Sequence, residues 1–175
     1  MTILLCTSLR PSPRTRTFCN DLVAATADFS YCLRGKSSLL LLSAYARSVG
    51  AERLWIVNSR FGDPRLIECY DTTGGRAKRI GSLLISRVIL RRELRDLSPR
   101  STRGRHLRLL PPEHRSLTDL YGMLLDMVGG LRPPDRGVID LRLKKGRDYL
   151  AEMVFTHSET QAPCGPRIIL KDFRR

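Results

Sequence analysis

The chain has 175 residues and 42% of them are hydrophobic, enough apolar surface for a folded core and too much for a disordered tail. Lys and Arg number 31 against 17 Asp and Glu, a formal net charge of +14. That excess argues against an enzyme of small metabolites and for a polyanionic partner, either nucleic acid or an anionic membrane surface. The longest apolar run, Leu39 to Leu42, falls far short of the roughly 20 residues a membrane span needs. The start, Met1 to Thr7, has neither the basic region nor the long apolar region of a signal peptide, so we expect no membrane association and a cytoplasmic location.

In chain order, Ile3 to Thr7 is a short apolar strand. Ser12-Pro13 pairs an N-cap residue with a proline at the first helical position. The helix that follows runs to about Ala27, with Phe18, Cys19, Leu22, Val23 and Thr26 at helical spacing. Phe29 to Leu33 is a second strand, and Ser37 or Ser38 caps a second helix that Gly50 ends. Leu54-Trp55-Ile56-Val57 is a continuous apolar run of the kind found in a strand buried on both faces. Gly62-Asp63-Pro64 makes a turn and Leu66 to Tyr70 returns as a strand. After a polar loop over Thr72 to Lys78, Gly81 to Glu93 is β-rich. Arg87 to Arg115 is strongly basic with little periodicity, and it holds His106 and His114 along with Arg100 and Arg103. A helix spans about Ser116 to Val128, stopped by Gly129-Gly130, and three closing strands cover Val138 to Leu143, Tyr149 to Thr156 and Arg167 to Asp172. The expected fold is α/β, a mixed sheet with flanking helices, in one domain over 1–175. A change of character near Asp71 to Gly81 suggests halves at 1–75 and 76–175, although no internal sequence repeat is visible.

The placement of the cations carries the functional reading. Arg10 precedes the first helix and Arg14 and Arg16 lie in its first turn, while Arg34 and Lys36 stand just ahead of the second helix. Cations are mildly unfavourable at a helix N-terminus, which carries partial positive charge, and an anion such as phosphate relieves the conflict. If the first three strands are parallel with helical crossovers, the loops Ser8–Ser12, Arg34–Lys36 and Ser59–Arg65 line one margin of the sheet. The bland alternative is a set of solvated basic loops, or arginines that pair with Asp21 or Asp28.

Little points to catalysis or to a cofactor. Gly35-Lys36-Ser37 looks like the end of a Walker A loop, but the position five residues earlier is Ser30 where the motif requires Gly. No paired carboxylates, G-x-S-x-G or H-E-x-x-H motif occurs. The cysteines number 5 and none forms a C-x-x-C pair, so buried free thiols in a reducing compartment are expected and no zinc site. Phe61 and Tyr70 could stack on bases, with core packing or turn anchoring as the competing role.

Thr7-Ser8-Leu9-Arg10-Pro11-Ser12-Pro13-Arg14-Thr15-Arg16-Thr17-Phe18 with Asp21-Leu22 resembles the opening signature of the Brix-domain family of ribosome-biogenesis proteins. Arg34-Gly35-Lys36 resembles its second block, Ala51 to Leu54 with Asn58 its third, and Gly165 to Lys171 its sigma-factor-like motif. The blocks fall in the family's order over most of the chain, in a minimal, archaeal-type form, while 91–115 matches none of them. The resemblance implies two similar halves, each like the anticodon-binding domain of class IIa aminoacyl-tRNA synthetases. It also implies binding of rRNA or pre-rRNA, together with ribosomal or assembly proteins, without catalysis. The expected RNA-binding residues are Arg10, Arg14, Arg16, Arg34, Lys36, Arg60, Arg167 and Lys171. The competing reading is an RNA-processing or RNA-modifying enzyme whose site is not recognisable.

Overall fold

The structure is a computed structural model that describes residues 2–98, 102, 104–129 and 137–175. Gly130, Arg100 and Arg103, which figure in the sequence expectations, lie outside the described residues. In chain order the elements are β1 (Thr2–Thr7), α1 (Pro13–Ala25), β2 (Phe29–Tyr31), α2 (Leu39–Ser48), β3 (Ala51–Arg60), β4 (Asp63–Asp71) and β5 (Lys78–Ile89). After a short 3₁₀ turn at Arg91–Glu93 come β6 (His106–Leu109), a second such turn at Arg115–Leu117, α3 (Thr118–Val128), β7 (Val138–Lys145), β8 (Ala151–His157) and β9 (Arg167–Arg174).

Among the described residues the strands form one nine-stranded mixed sheet in the order β2-β1-β3-β4-β5-β9-β8-β7-β6. β1 lies between β2 and β3 and is parallel to both, as helical crossovers require. β4 and β5 then run antiparallel, and β5 meets β9 antiparallel in the middle of the sheet. The other flank repeats this pattern: β6 and β7 are parallel, with α3 between them in sequence, and β8 and β9 follow antiparallel.

Side-chain alternation sends Ile3 and Leu5 of β1 to one face and Leu4 and Cys6 to the other. The first face is covered by α1 and α3, whose stripes Phe18, Cys19, Leu22 and Leu120, Met123, Leu124, Met127 share one core with Trp55, Ile67, Leu83 and Phe155. The second face carries α2, which buries Leu42 and Ala46 against Leu4, Cys6, Leu54 and Ile56. Helix α3 approaches β5 so closely that a Cβ at Gly81 would stand 2.7 Å from Met123 Sδ and 2.9 Å from the Arg174 carbonyl oxygen. Its last turn is held from the sheet by Trp55, whose indole N–H donates to the Met127 carbonyl at 3.0 Å.

The sheet curls until its two end strands meet. Asp28, 3% exposed just before β2, accepts from the Leu107 amide at 2.5 Å and lies 2.9 Å from His106 Nδ1. The Ala27 amide donates to the Arg105 carbonyl at 2.7 Å beside it. The expectation that Asp28 could partner an arginine of the first loops is thus corrected: its lone pairs go to the start of β6. Likewise Asp21 accepts the Arg91 amide at 2.8 Å.

Two boundaries differ from the sequence reading. The turn between β3 and β4 is Phe61-Gly62, both at positive φ (52° and 85°), the geometry of a tight two-residue hairpin; Asp63 and Pro64 already belong to β4. The strand β6 lies inside the basic stretch that shows little periodicity.

Candidate nucleic-acid interface

Helix α1 begins as the sequence predicts: the Ser12 hydroxyl accepts from the Thr15 amide at 3.1 Å, with proline at the first helical position. The same hydroxyl donates to the Gly62 carbonyl at 2.6 Å, which ties the loop after β1 to the hairpin after β3. Arg14 makes a second tie, with Nε 3.1 Å from the Asp63 carboxylate. The loop after β1 and the turn after β3 are therefore one continuous margin. The loop after β2 leads to α2, whose Ser38 hydroxyl accepts from the Leu41 amide at 3.3 Å. Because α2 packs on the second face and α1 on the first, Arg34 and Lys36 extend the margin around to the other side of the sheet.

The expected site residues separate into two groups by their partners. Arg14 is fully engaged. Its guanidinium forms a fork on Glu93 at 2.5 and 2.9 Å and also donates to the Val88 carbonyl at 2.9 Å. The hydrogen bond from Arg14 holds Glu93 down at a pKa of about 2, with the Leu90 amide adding to it, against some desolvation. The Arg14 pKa is raised in turn, first by Glu93. Arg167, at the start of β9, pairs with Asp96 at 2.9 Å.

By contrast, Arg10, Arg16, Lys36, Arg60 and Lys171 are exposed, and none of them pairs with a carboxylate among the described residues. Arg34 is half-buried and, among the described residues, donates to the Ser37 carbonyl at 3.2 Å. The structure brings Arg14 and Arg60 together at the margin on either side of Asp63, with Arg10 in the adjoining loop after β1; Arg16 stands near Tyr31 of β2, and Arg34 and Lys36 lie beyond the margin. Lys171 lies on β9, five strands from β2 in the sheet order.

The two aromatic candidates part in the same way. Phe61 is 89% exposed, so it fills no core, and the Arg60 guanidinium lies 5.0 Å from its ring centroid. It also holds a φ of 52°, a conformation costly for a bulky residue. Tyr70 is half-buried and packs against the core under α2. Among the cations of the margin not expected from sequence is Arg92, exposed and in no ion pair with a carboxylate among the described residues. Its place here comes from the chain returning after β5, which local pattern does not reveal. A pocket of about 570 Å³, lined by Arg14, Asp63, Arg65, Ser86, Arg87 and Val88, opens beside this cluster.

Among the described residues no group of three His, Cys, Asp or Glu is arranged to hold a metal ion. The five cysteines are free, with Cys32 alone only half-buried. Burial raises the thiol pKa of Cys19, Cys69 and Cys164 to about 12, which leaves them protonated and poorly nucleophilic at neutral pH. No helix of the described residues is long and apolar enough to cross a membrane. The chemistry the margin offers is the gripping of anions by fixed guanidinium and ammonium groups beside one exposed aromatic ring.

No protein-family model matches the chain. Curated relatives do. A probable Brix domain-containing ribosomal biogenesis protein of Aeropyrum pernix is 37% identical over 168 residues, covering 94% of this chain and 92% of that protein. A protein of the same description from Methanothermobacter thermautotrophicus is 28% identical over 174 residues, with 98% of both chains covered. The crystal structure of a probable ribosomal biogenesis protein from Aeropyrum pernix K1 superposes with a TM-score of 0.85 at 28% identity, over 98% of this chain and 96% of that one. The structure of Mil, an archaeal Imp4-like protein, shares the fold at a TM-score of 0.66 and 24% identity, with 98% of both chains covered. With 37% identity over nearly the full length of both proteins, the chain belongs to the Brix-domain family of ribosomal biogenesis proteins.

Proposed function

We propose that this protein is a non-catalytic, cytoplasmic assembly factor that binds rRNA or pre-rRNA during ribosome biogenesis, alongside ribosomal or assembly proteins. One observation carries the reading: exposed cations that pair with no carboxylate among the described residues, Arg10, Arg16 and Arg60, stand on the elements that meet at the carboxyl ends of the parallel strands, where Phe61 is exposed beside Arg60, and Lys36 continues them onto the other face of the sheet. Such cations gain their electrostatic partner from phosphate, and the Phe61 ring offers a face on which an unpaired base stacks. Arg34, Arg167 and Lys171 belong to the proposed surface as flanking residues, and Arg14 supports it from behind as the residue that fixes the hairpin to α1.

The doubled strand pattern supports a second element of the reading, two halves of similar fold, each resembling the anticodon-binding domain of class IIa aminoacyl-tRNA synthetases. Because β5 pairs with β4, the pairing pattern favours a seam at the β5–β9 pairing over the expected one between residues 75 and 76. The test of the function is direct. Incubated with labelled pre-rRNA fragments, the purified protein should retard them and leave them intact and unmodified over many hours. Turnover of the RNA in that assay would replace this reading by that of a processing or modifying enzyme.

A further inference from the structure

The second flank of the sheet has its own margin at the carboxyl ends of parallel strands. The loop after β6 leads into α3, as the loop after β1 leads into α1, and the end of β7 lies beside it, as the end of β3 lies beside the first. Ligands in α/β sheets bind outside such carboxyl ends. At this place there is a cleft of about 570 Å³, lined by Leu110, Pro111, Glu113, His114, Arg142, Leu143, Lys144 and Lys145. The stretch 91–115, which no sequence motif explains, therefore ends in one wall of a cleft whose opposite wall is the basic end of β7.

The charges of this cleft are poised for an anion. Lys144 and Lys145 are exposed and pair with no carboxylate among the described residues. Arg142 stands 3.9 Å from Asp140 Oδ2, while Arg108 holds Oδ1 of the same carboxylate at 2.7 Å, so Arg142 is only loosely neutralised. Glu113 is the single acidic side chain of the lining. His114 is oriented by its neighbour: the Ser116 amide donates to His114 Nδ1 at 3.3 Å. An amide can only donate, so the neutral ring carries its proton on Nε2, a second hydrogen-bond donor. The floor of Leu110, Pro111 and Leu143 is apolar, which suits a sugar or base lying against it while the cations take the phosphates.

We infer that this cleft is a second RNA-binding site, for a phosphate–ribose segment of the same RNA or a neighbouring one, distinct from the margin around α1. It shares no lining residue with that margin, and it makes the protein bivalent toward RNA, which raises avidity without any change in either site. The inference rests on the RNA-binding reading above, and its test separates the two.

The experiment measures affinity for a structured RNA of about 40 nucleotides as a function of salt, for the wild type, K144A/K145A, K144R/K145R and R10A/R16A, with melting temperature recorded on each preparation. Removing two cation–phosphate pairs should flatten the slope of log affinity against log salt by about 1.4 to 1.8. K144A/K145A is therefore expected to bind about 30-fold more weakly at about 0.1 M salt, with its melting temperature unchanged, and K144R/K145R to retain wild-type binding. Wild-type slope and affinity in K144A/K145A, with R10A/R16A weakened, would overturn the second site and leave the first reading standing. Failure of the wild type to bind RNA would sink both. A saturable melting shift with inorganic phosphate that K144A/K145A abolishes, with no change in RNA affinity, would assign the cleft to a free phosphate compound and overturn the RNA inference.

Discussion

The pocket around Arg14 and the open margin around Arg10, Arg16 and Arg60 are neighbours built from the same residue type, and they do opposite things. Arg14 is enclosed by Glu93, Asp63 and the Val88 carbonyl, three groups from β4, β5 and the turn after it. Arg16, two residues later on the same helix, is exposed and pairs with no carboxylate among the described residues. One arginine therefore joins α1 to the sheet, and the others present uncompensated charge. Net charge alone does not identify a binding surface; what identifies it is the charge left over after the internal pairs are made.

Breaking the open side of this comparison should have the largest effect. The triple variant R10A/R16A/R60A is expected to lose about 3 kcal/mol of RNA affinity, at roughly 1 kcal/mol per phosphate contact, while its melting temperature stays within a degree or two of wild type. A variant that melts early and binds normally would move these arginines into the framework beside Arg14.

Next comes Phe61. Its replacement by Ala should cost about 1–3 kcal/mol toward single-stranded RNA, the range for one base–aromatic stack, and much less toward a perfect duplex, whose bases are not available. Phe61→Gly should show the same loss of affinity with higher stability, because φ of 52° is unstrained for glycine. Equal losses for both RNA types would show that the ring does not stack.

Arg14→Ala probes the closed side. The pair is about one third exposed on both partners, so solvent screening holds its contribution to about 1–2 kcal/mol of stability. The corresponding drop in melting temperature is about 2–8 °C for a chain of this size, while RNA affinity per folded molecule is retained. Loss of affinity at unchanged stability would place Arg14 among the residues that touch RNA.

The smallest effect is in acid. Glu93 has a folded pKa lowered to about 2 from an ordinary value of 4.5. Its contribution is therefore fully present above about pH 4.5 and is lost as pH falls toward about 2. Thermal melts from about pH 5 down to about pH 2 should fall less steeply in Glu93→Gln than in wild type; parallel curves would show that the pair does not set acid stability.

The contrast between the two groups of arginines also shows what sequence can carry. The helices were legible because Ser12-Pro13 and Ser38 start them and apolar residues recur at helical spacing. The run Leu54 to Val57 announced a central strand because both of its faces are covered. The strand β6 escaped because His106-Leu107-Arg108-Leu109 offers only two apolar positions, and its charge is neutralised by Asp140 on β7, 32 residues away. Phe61 could not be told from a core residue until the hairpin was placed, since the two residues of its turn sit one position earlier than Gly62-Asp63-Pro64 suggests. Arg14 could not be told from Arg16 because its main partner, Glu93, lies 79 residues along the chain. Local pattern records periodicity and capping; it does not record which distant carboxylate arrives beside a cation.

The functional reading depends on the unpaired cations meeting phosphate, and the salt dependence of RNA binding by the intact protein tests that most directly. If about six phosphates are neutralised, log affinity should fall against log salt with a slope of roughly −4 to −5. In R10A/R16A/R60A the slope should flatten by about 2 to 3, while in Arg14→Ala it should remain at the wild-type value. A wild-type slope near zero, or equal flattening in Arg14→Ala and the triple variant, would contradict the division between paired and unpaired arginines on which the functional reading stands.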